Sequence, residues 1–318
     1  MNRAQHYVPQ LYLKFFVDPH LQRHGKSQLW VYEKGKAPRP GAPKEVAHQR
    51  DFYVFQTKDG RQDIVDQYFQ RLESSANETY LRKLATSGLL SKTEKDSLAK
   101  FIATLAARVP FARTLLDDTA GELAMKKLEQ VLFDPHAFRE RFEGLNLRLE
   151  SKMDTEQVRM DLLNGARLQQ ASPFVNLQMM LDLAQTNYES LMQMAWQVWH
   201  SDDLLFVTSD NPVVSLVRTR SNLADLGANM RDRNAEIVFT LSPTTCLRAS
   251  RFTSDGSANV SRAIVRTVNK VIMGLADRWL FASEKSMRIA TVFDRLGGTG
   301  YAQEDFYTPT SDILKLNG

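Results

Sequence analysis

Apolar and polar positions change their period twice along the chain. Up to about residue 60 the apolar residues come in short clusters broken by turn formers. Pro9 fits the first position of a helix over Gln10-Leu11-Tyr12-Leu13-Lys14-Phe15-Phe16, because the amide it lacks would have no partner there. Asp18-Pro19 then stops it. Leu29-Trp30-Val31-Tyr32 predicts a strand, Pro38, Pro40 and Pro43 a turn, and Asp51-Phe52-Tyr53-Val54-Phe55 a second strand to pair with the first. From 61 to 200 the period becomes helical. Ser91-Lys92-Thr93-Glu94 is a capping box, and the helix behind it carries its apolar stripe at Leu98, Phe101, Leu105, Ala112 and Leu115. Val109-Pro110 predicts a kink in it. Pro173 opens another long helix, with Leu177, Leu181, Ala184, Tyr188, Leu191, Ala195 and Val198 on one face. Met179, Met180, Met192 and Met194 beside that face read as core filler.

After residue 200 the period shortens towards two. Leu204-Leu205-Phe206-Val207 and Val213-Val214-Ser215-Leu216-Val217 predict strands around a polar knot, Thr208-Ser209-Asp210-Asn211-Pro212. Glu236–Leu241 and Cys246–Ser250 predict a second pair around Ser242-Pro243, followed by a helix over 259–274 and a strand at Trp279-Leu280-Phe281. The pattern predicts an α+β fold, a largely helical middle packed against short antiparallel strands from both ends. It divides a single domain, 1–318, into a strand/helix segment (1–60), a helical segment (61–200), a mixed segment (201–296) and a tail from 297, where Gly297-Gly298-Thr299-Gly300 reads as a hinge.

Composition narrows the class. The 318 residues are 43% hydrophobic and 25% charged, which excludes a disordered chain or a collagen-like repeat. A single cysteine, Cys246, excludes a disulfide scaffold and a cysteine-based zinc site. No window approaches the roughly 18 apolar residues of a membrane span, and Met1–His6 has no signal-like apolar stretch, so no membrane partner and a cytoplasmic location are expected. The net charge of +4 is unevenly spread. Residues 1–60 carry an excess of five positive charges, 61–230 an excess of four negative, and 231–295 again five positive, with nine arginines. Arginine matches phosphate and carboxylate geometry, so two basic segments point to an anionic partner; an ordinary solvated face is the plain alternative.

Several motifs are missing: P-loop, dinucleotide fingerprint, HExxH and nucleophile elbow. His6 stands just outside the predicted N-terminal helix, where it could hold a phosphate and move a proton with Gln10 one turn on; it could equally cap the helix or pack on Tyr7 and Tyr12. Arg108 falls on a core-facing stripe, a costly place for a guanidinium without a carboxylate or bound anion. Glu73, on a helix whose Val65, Phe69 and Leu72 face the same core, is its expected partner. Two apolar strands deliver Asp210 and Asn211 to one turn, either as a mounted catalytic pair or as plain turn chemistry. His20 and His24 could meet only if Pro19 started a helix.

His6-Tyr7-Val8-Pro9-Gln10-Leu11-Tyr12-Leu13-Lys14-Phe15-Phe16 resembles the opening signature of a large bacterial domain-of-unknown-function family. The likeness continues at Leu29–Tyr32, Asp51-Phe52-Tyr53, Leu72-Glu73, Arg108-Val109-Pro110, Phe206–Val213 with its Thr-Ser-Asp-Asn-Pro motif, Phe239–Pro243 and Asn269. Ala106-Ala107 departs from it, since a glutamine is expected near there. The resemblance brings no assigned activity. It implies that His6, Gln10, Glu73, Arg108, Asp210 and Asn211 form one set in a shared pocket. The expectation is a nuclease acting on RNA or single-stranded nucleic acid, as a toxin or phage-defence effector. His6 would be general acid or base, Arg108 would steady the phosphate, and Asp210 or Glu73 would orient the histidine or hold a divalent ion. Gln10 and Asn211 would position substrate. Two alternatives stand beside it: a non-enzymatic nucleotide or anion sensor, and a structural partner using helix 173–200 with Trp196 and Trp199 as its interface.

Overall fold

The structure is a computed structural model that describes residues 4–50, 55–57, 60–62, 64–76, 78–110, 112, 130–149, 152–164, 172–218, 224–226 and 230–297. The N-terminal segment supplies β1 (Ala4–His6), α1 (Gln10–Leu13), α2 (Pro19–Arg23), β2 (Leu29–Glu33), β3 (Arg39–Gly41), β4 (His48–Arg50), β5 (Phe55–Thr57) and β6 (Gly60–Gln62). The helical stretch contains α3 (Ile64–Ala76), α4 (Glu78–Ser87), α5 (Lys92–Arg108), α6 (Pro135–Leu149), α7 (Thr155–Asn164) and α8 (Ser172–Met192). Next come β7 (Ala195–His200), β8 (Thr208–Ser209), β9 (Val213–Arg218), β10 (Ala224–Leu226), β11 (Ala235–Ser242), β12 (Thr245–Ser250) and β13 (Gly256–Asn259). The helix α9 (Arg262–Leu275), β14 (Trp279–Ala282) and α10 (Met287–Leu296) complete the described fold, which is α+β.

A six-stranded sheet in the order β10-β9-β11-β12-β7-β13 is the central layer. Its pairs are antiparallel except β13 with β7. Period-two alternation sorts its side chains into two cores. Ile237, Phe239, Leu241, Leu247, Ala249, Trp196 and Val198 join the core built on α5 and α8. Val238, Cys246, Trp199, Val214 and Leu216 join α9 and α10 on the other side. A buried ion pair crosses that second face: Arg248 donates through Nε (3.0 Å) and Nη2 (2.8 Å) to Glu236. A second, antiparallel sheet runs β3-β2-β14-β8, so a strand from the N-terminal segment lies against one from near residue 280.

Local signals explain most boundaries. Ser91 Oγ accepts from the Glu94 amide at 3.3 Å while the Glu94 carboxylate accepts from the Ser91 amide at 2.7 Å, closing the expected capping box of α5. Gly88 ends α4 with φ +65°, and a Cβ there would stand 2.9 Å from the Gly256 carbonyl, so glycine serves both the turn and the close approach.

Some expectations fail for physical reasons. Pro9 is the cap residue, not the first helical one, and the helix of residues 10–16 tightens into a 3-10 turn at Lys14–Phe16. The predicted kink at Val109-Pro110 is a stop instead: Val109 is extended (ψ 154°), as the residue before proline prefers. The long helix from Pro173 ends at Met192, and Ala195 and Val198 belong to strand β7. There the β-prone Trp-Gln-Val-Trp run outweighs the 3–4 spacing, and Trp196 Nε1 donates to the Leu191 carbonyl at the helix end. Trp196 and Trp199 are therefore buried in the sheet and cannot form an interface on helix 173–200. Leu204–Val207 is irregular rather than a strand. The strand at Leu29–Tyr32 pairs with β14 and β3, and Phe55 pairs with β6; residues 51–54, Leu115 and 298–318 lie outside the described residues. Met180 and Met194 are buried and Met179 and Met192 pack against the core, as filler.

Candidate functional site

The N-terminal corner is built on a two-stranded ladder. The pairing of β1 with β4 sets His6 directly opposite His48. Ala47 fixes the corner: its carbonyl accepts from the amides of Tyr7 (3.0 Å) and Val8 (3.4 Å), and its φ is +52°. A left-handed alanine costs about 1–2 kcal/mol, so the surrounding contacts must hold it there. Across the ladder the His6 and His48 rings lie 5.3 Å apart, edge to face.

His6 Nε2 is 3.3 Å from the Lys44 carbonyl and Nδ1 is 3.5 Å from Gln10 Nε2. Both contacts are satisfied when His6 is neutral with its proton on Nε2, which leaves the Nδ1 lone pair towards the Gln10 amide. Burial lowers the His6 pKa from its ordinary 6.5, and the neighbouring His48 and Arg108 lower it further against the Lys44 carbonyl. His6, Gln10 and His48 are all partly exposed. A partly exposed, neutral imidazole keeps a lone pair with which it can accept a proton.

Arg108 closes the back of this corner. It ends α5 on the stripe that packs into the core, with its side chain 2% exposed. Nη2 donates to Glu73 Oε1 at 2.9 Å, Nε donates to the Tyr7 carbonyl at 2.9 Å, and the guanidinium lies 4.8 Å over the Phe69 ring. The expected Glu73 partner is the observed one. Because Tyr7 follows His6, the buried Arg108, held by the half-buried Glu73, anchors the backbone that carries the histidine.

Asp210 and Asn211 do other work. Asp210 is fully buried, and its two oxygens accept from the amides of Asp277 (2.9 Å), Arg278 (2.7 Å) and Trp279 (2.8 Å). Asn211 Nδ2 donates to the Leu275 carbonyl at 3.1 Å, at the end of α9. Together they clamp the turn from α9 into β14. The structure therefore brings His6, Gln10, Glu73 and Arg108 together with His48, and commits Asp210 and Asn211 to this separate turn. His48 is the residue that sequence reasoning missed, since its facing of His6 depends on a register across 42 positions.

Pro19 does start α2, so the exposed His20 and His24 rings meet at 4.8 Å. Among the described residues no group of three or more His, Cys, Asp or Glu side chains is placed to hold a metal ion. No described helix is long and apolar enough to cross a membrane. The family described as "Protein of unknown function (DUF4238)" matches residues 4–286, nearly the whole chain. No curated protein and no solved structure matches it.

Proposed function

The chain belongs to the DUF4238 family, and from its own geometry we propose that it is a phosphodiesterase that cleaves RNA at the His6–His48 corner. The observation that carries this is the pair of facing imidazoles, 5.3 Å apart, with the Gln10 amide beside one of them. Two adjacent imidazoles supply both proton transfers that phosphodiester cleavage requires. In this reaction the Gln10 amide turns from His6 Nδ1 to the phosphate, and the freed Nδ1 lone pair takes the proton of a ribose 2′-hydroxyl as that oxygen attacks phosphorus. The bond from phosphorus to the 5′-oxygen breaks, and His48 delivers a proton to the leaving oxygen. The products are a 2′,3′-cyclic phosphate and a 5′-hydroxyl end. Gln10 positions the phosphate. Arg108 is a positioning residue, because its guanidinium is enclosed by Glu73 and the Tyr7 carbonyl and reaches the reaction through the His6 backbone and its positive field. The basic segments that flank the acidic middle favour a polyanionic substrate.

The test is incubation of the purified protein with end-labelled single-stranded RNA and with DNA of the same sequence. Cleavage of RNA alone to cyclic-phosphate ends is expected, and His6→Gln or His48→Gln should lower the rate by about 10²–10⁴. Toxicity on expression, abolished by His6→Gln, is the cellular counterpart. Intact RNA, or cleavage that survives both substitutions, would overturn the proposal.

A further inference from the structure

The described residues include a cavity of about 160 Å³ on the opposite side of the central sheet from α5 and α8, between α9, α10 and the segment entering β8. Its wall is mainly apolar, with Leu205, Met273, Ile289 and Val292, and includes Asn269, whose amide is bonded to the backbone of Val207 and Leu205. Its mouth carries three cations, Arg266, Lys270 and Arg288, against one carboxylate, Glu284. The spacing explains the arrangement. Arg266, Lys270 and Met273 follow at steps of four and three, on one stripe of α9, while Arg288, Ile289 and Val292 share a face of α10. Arg266 and Arg288 are exposed, Lys270, Leu205, Ile289 and Val292 are half-buried and Met273 is buried, so the site is an open groove with Met273 at its floor and the two arginines at its rim.

Like charges one helical turn apart repel each other. Among the described residues none of these three cations forms an ion pair, unlike Arg108, Arg248 or Arg278. Arg266 and Lys270 line the same cavity as the N-terminal turn of α10, which carries Arg288 and where Ser286 Oγ caps the Ile289 amide and the helix dipole adds further positive potential. An excess of two positive charges at the mouth matches a phosphate monoester, which carries about −1.5 to −2 at neutral pH. The interior is close to the ~150 Å³ of an apolar cavity that accepts one benzene ring. Glu284 and Ser286 at the edge offer hydrogen-bond partners that a purely aliphatic chain would leave unused.

We propose that this cavity is a binding site for a nucleoside monophosphate, its base against the aliphatic wall and its phosphate held by Arg266, Lys270 and Arg288. It shares no residue with the His6–His48 corner, and the inference does not depend on the chemistry assigned there. The test is a thermal-shift and calorimetric titration of the full chain with AMP, GMP, CMP and UMP, with inorganic phosphate and hexanoate as comparators. At least one nucleotide should raise Tm by about 5 °C at a hundredfold excess over its Kd and be recovered intact. Arg266→Gln with Arg288→Gln should weaken that binding at least ~10-fold for each charge-assisted hydrogen bond removed. Lys270→Gln alone is the check should the double variant fold poorly. Equal binding of inorganic phosphate would overturn the proposal, because the aliphatic wall would then contribute nothing. So would binding of hexanoate without any nucleotide, nucleotide affinity unchanged in both variants, or no binding at all.

Discussion

Asp210 holds three backbone amides with one carboxyl group and has no contact with solvent. Burial pushes its pKa up to about 7, against the pull of the three amides. Its folded value thus lies above the ~3.9 of an unfolded aspartate, so the stability it contributes is complete below pH ~4 and is lost as pH rises towards 7. Urea titrations should show this decline, and Asp210→Asn should flatten it. Asp210→Ala leaves three amides without an acceptor and should cost about 3 kcal/mol or more. Arg108 gives a different signature. Arg108→Gln removes a positive charge near His6, so the His6 pKa should rise towards 6.5 and the acid limb of the pH–rate profile should move up with it. A purely structural Arg108 would lower the rate without moving the limb. Arg108 and Glu73 were legible in sequence because 3–4 spacing exposes which charged group faces a core. Asp210 was singled out too, but its partners were not, since only the folded turn shows that residues 277–279 return to it.

At the scale of elements, boundaries were legible wherever a local side chain closes them. The Ser91–Glu94 box is one case, and Ser91→Ala should cost about 1 kcal/mol in thermal or chemical denaturation. The border between α8 and β7 was not legible, because Leu191, Ala195 and Val198 satisfy the helical spacing while Trp196 and Val198 satisfy the strand alternation, with Trp199 on the opposite face. Burial on both faces of the sheet decides it, and that is a property of neighbours rather than of the segment. The β1–β4 ladder was hidden for the same reason. Three residues on each side carry too little pattern to announce a partner 42 positions away.

At the scale of the molecule, the two basic segments are neighbours in space. β2 lies beside β14, and Arg278 reaches Glu33 at 2.9 Å across that seam. The α+β class was legible from the change of period; the sandwiching of one sheet between two cores was not, because strand order is set by long-range pairing. Tyr12 shows how far those pairings reach. Its hydroxyl is 2.7 Å from Thr208 Oγ1 and donates to the Thr240 carbonyl at 2.6 Å, and its ring stacks on Phe239 at 4.9 Å. These partners lie 196 and 228 positions away in the chain. Closing such loops costs entropy before any contact repays it, which predicts that this docking comes late in folding. On a ribosome, the helix beside His6 would wait until Thr240 has emerged before it could be seated. Tyr12→Phe should destabilise the protein by about 1–3 kcal/mol while mainly speeding unfolding in stopped-flow traces, as expected for a contact absent from the transition state. On the proposed reading, the helix beside the RNA-cleaving corner stays unseated until Thr208 and Thr240 have been made, so a shorter nascent chain is inert.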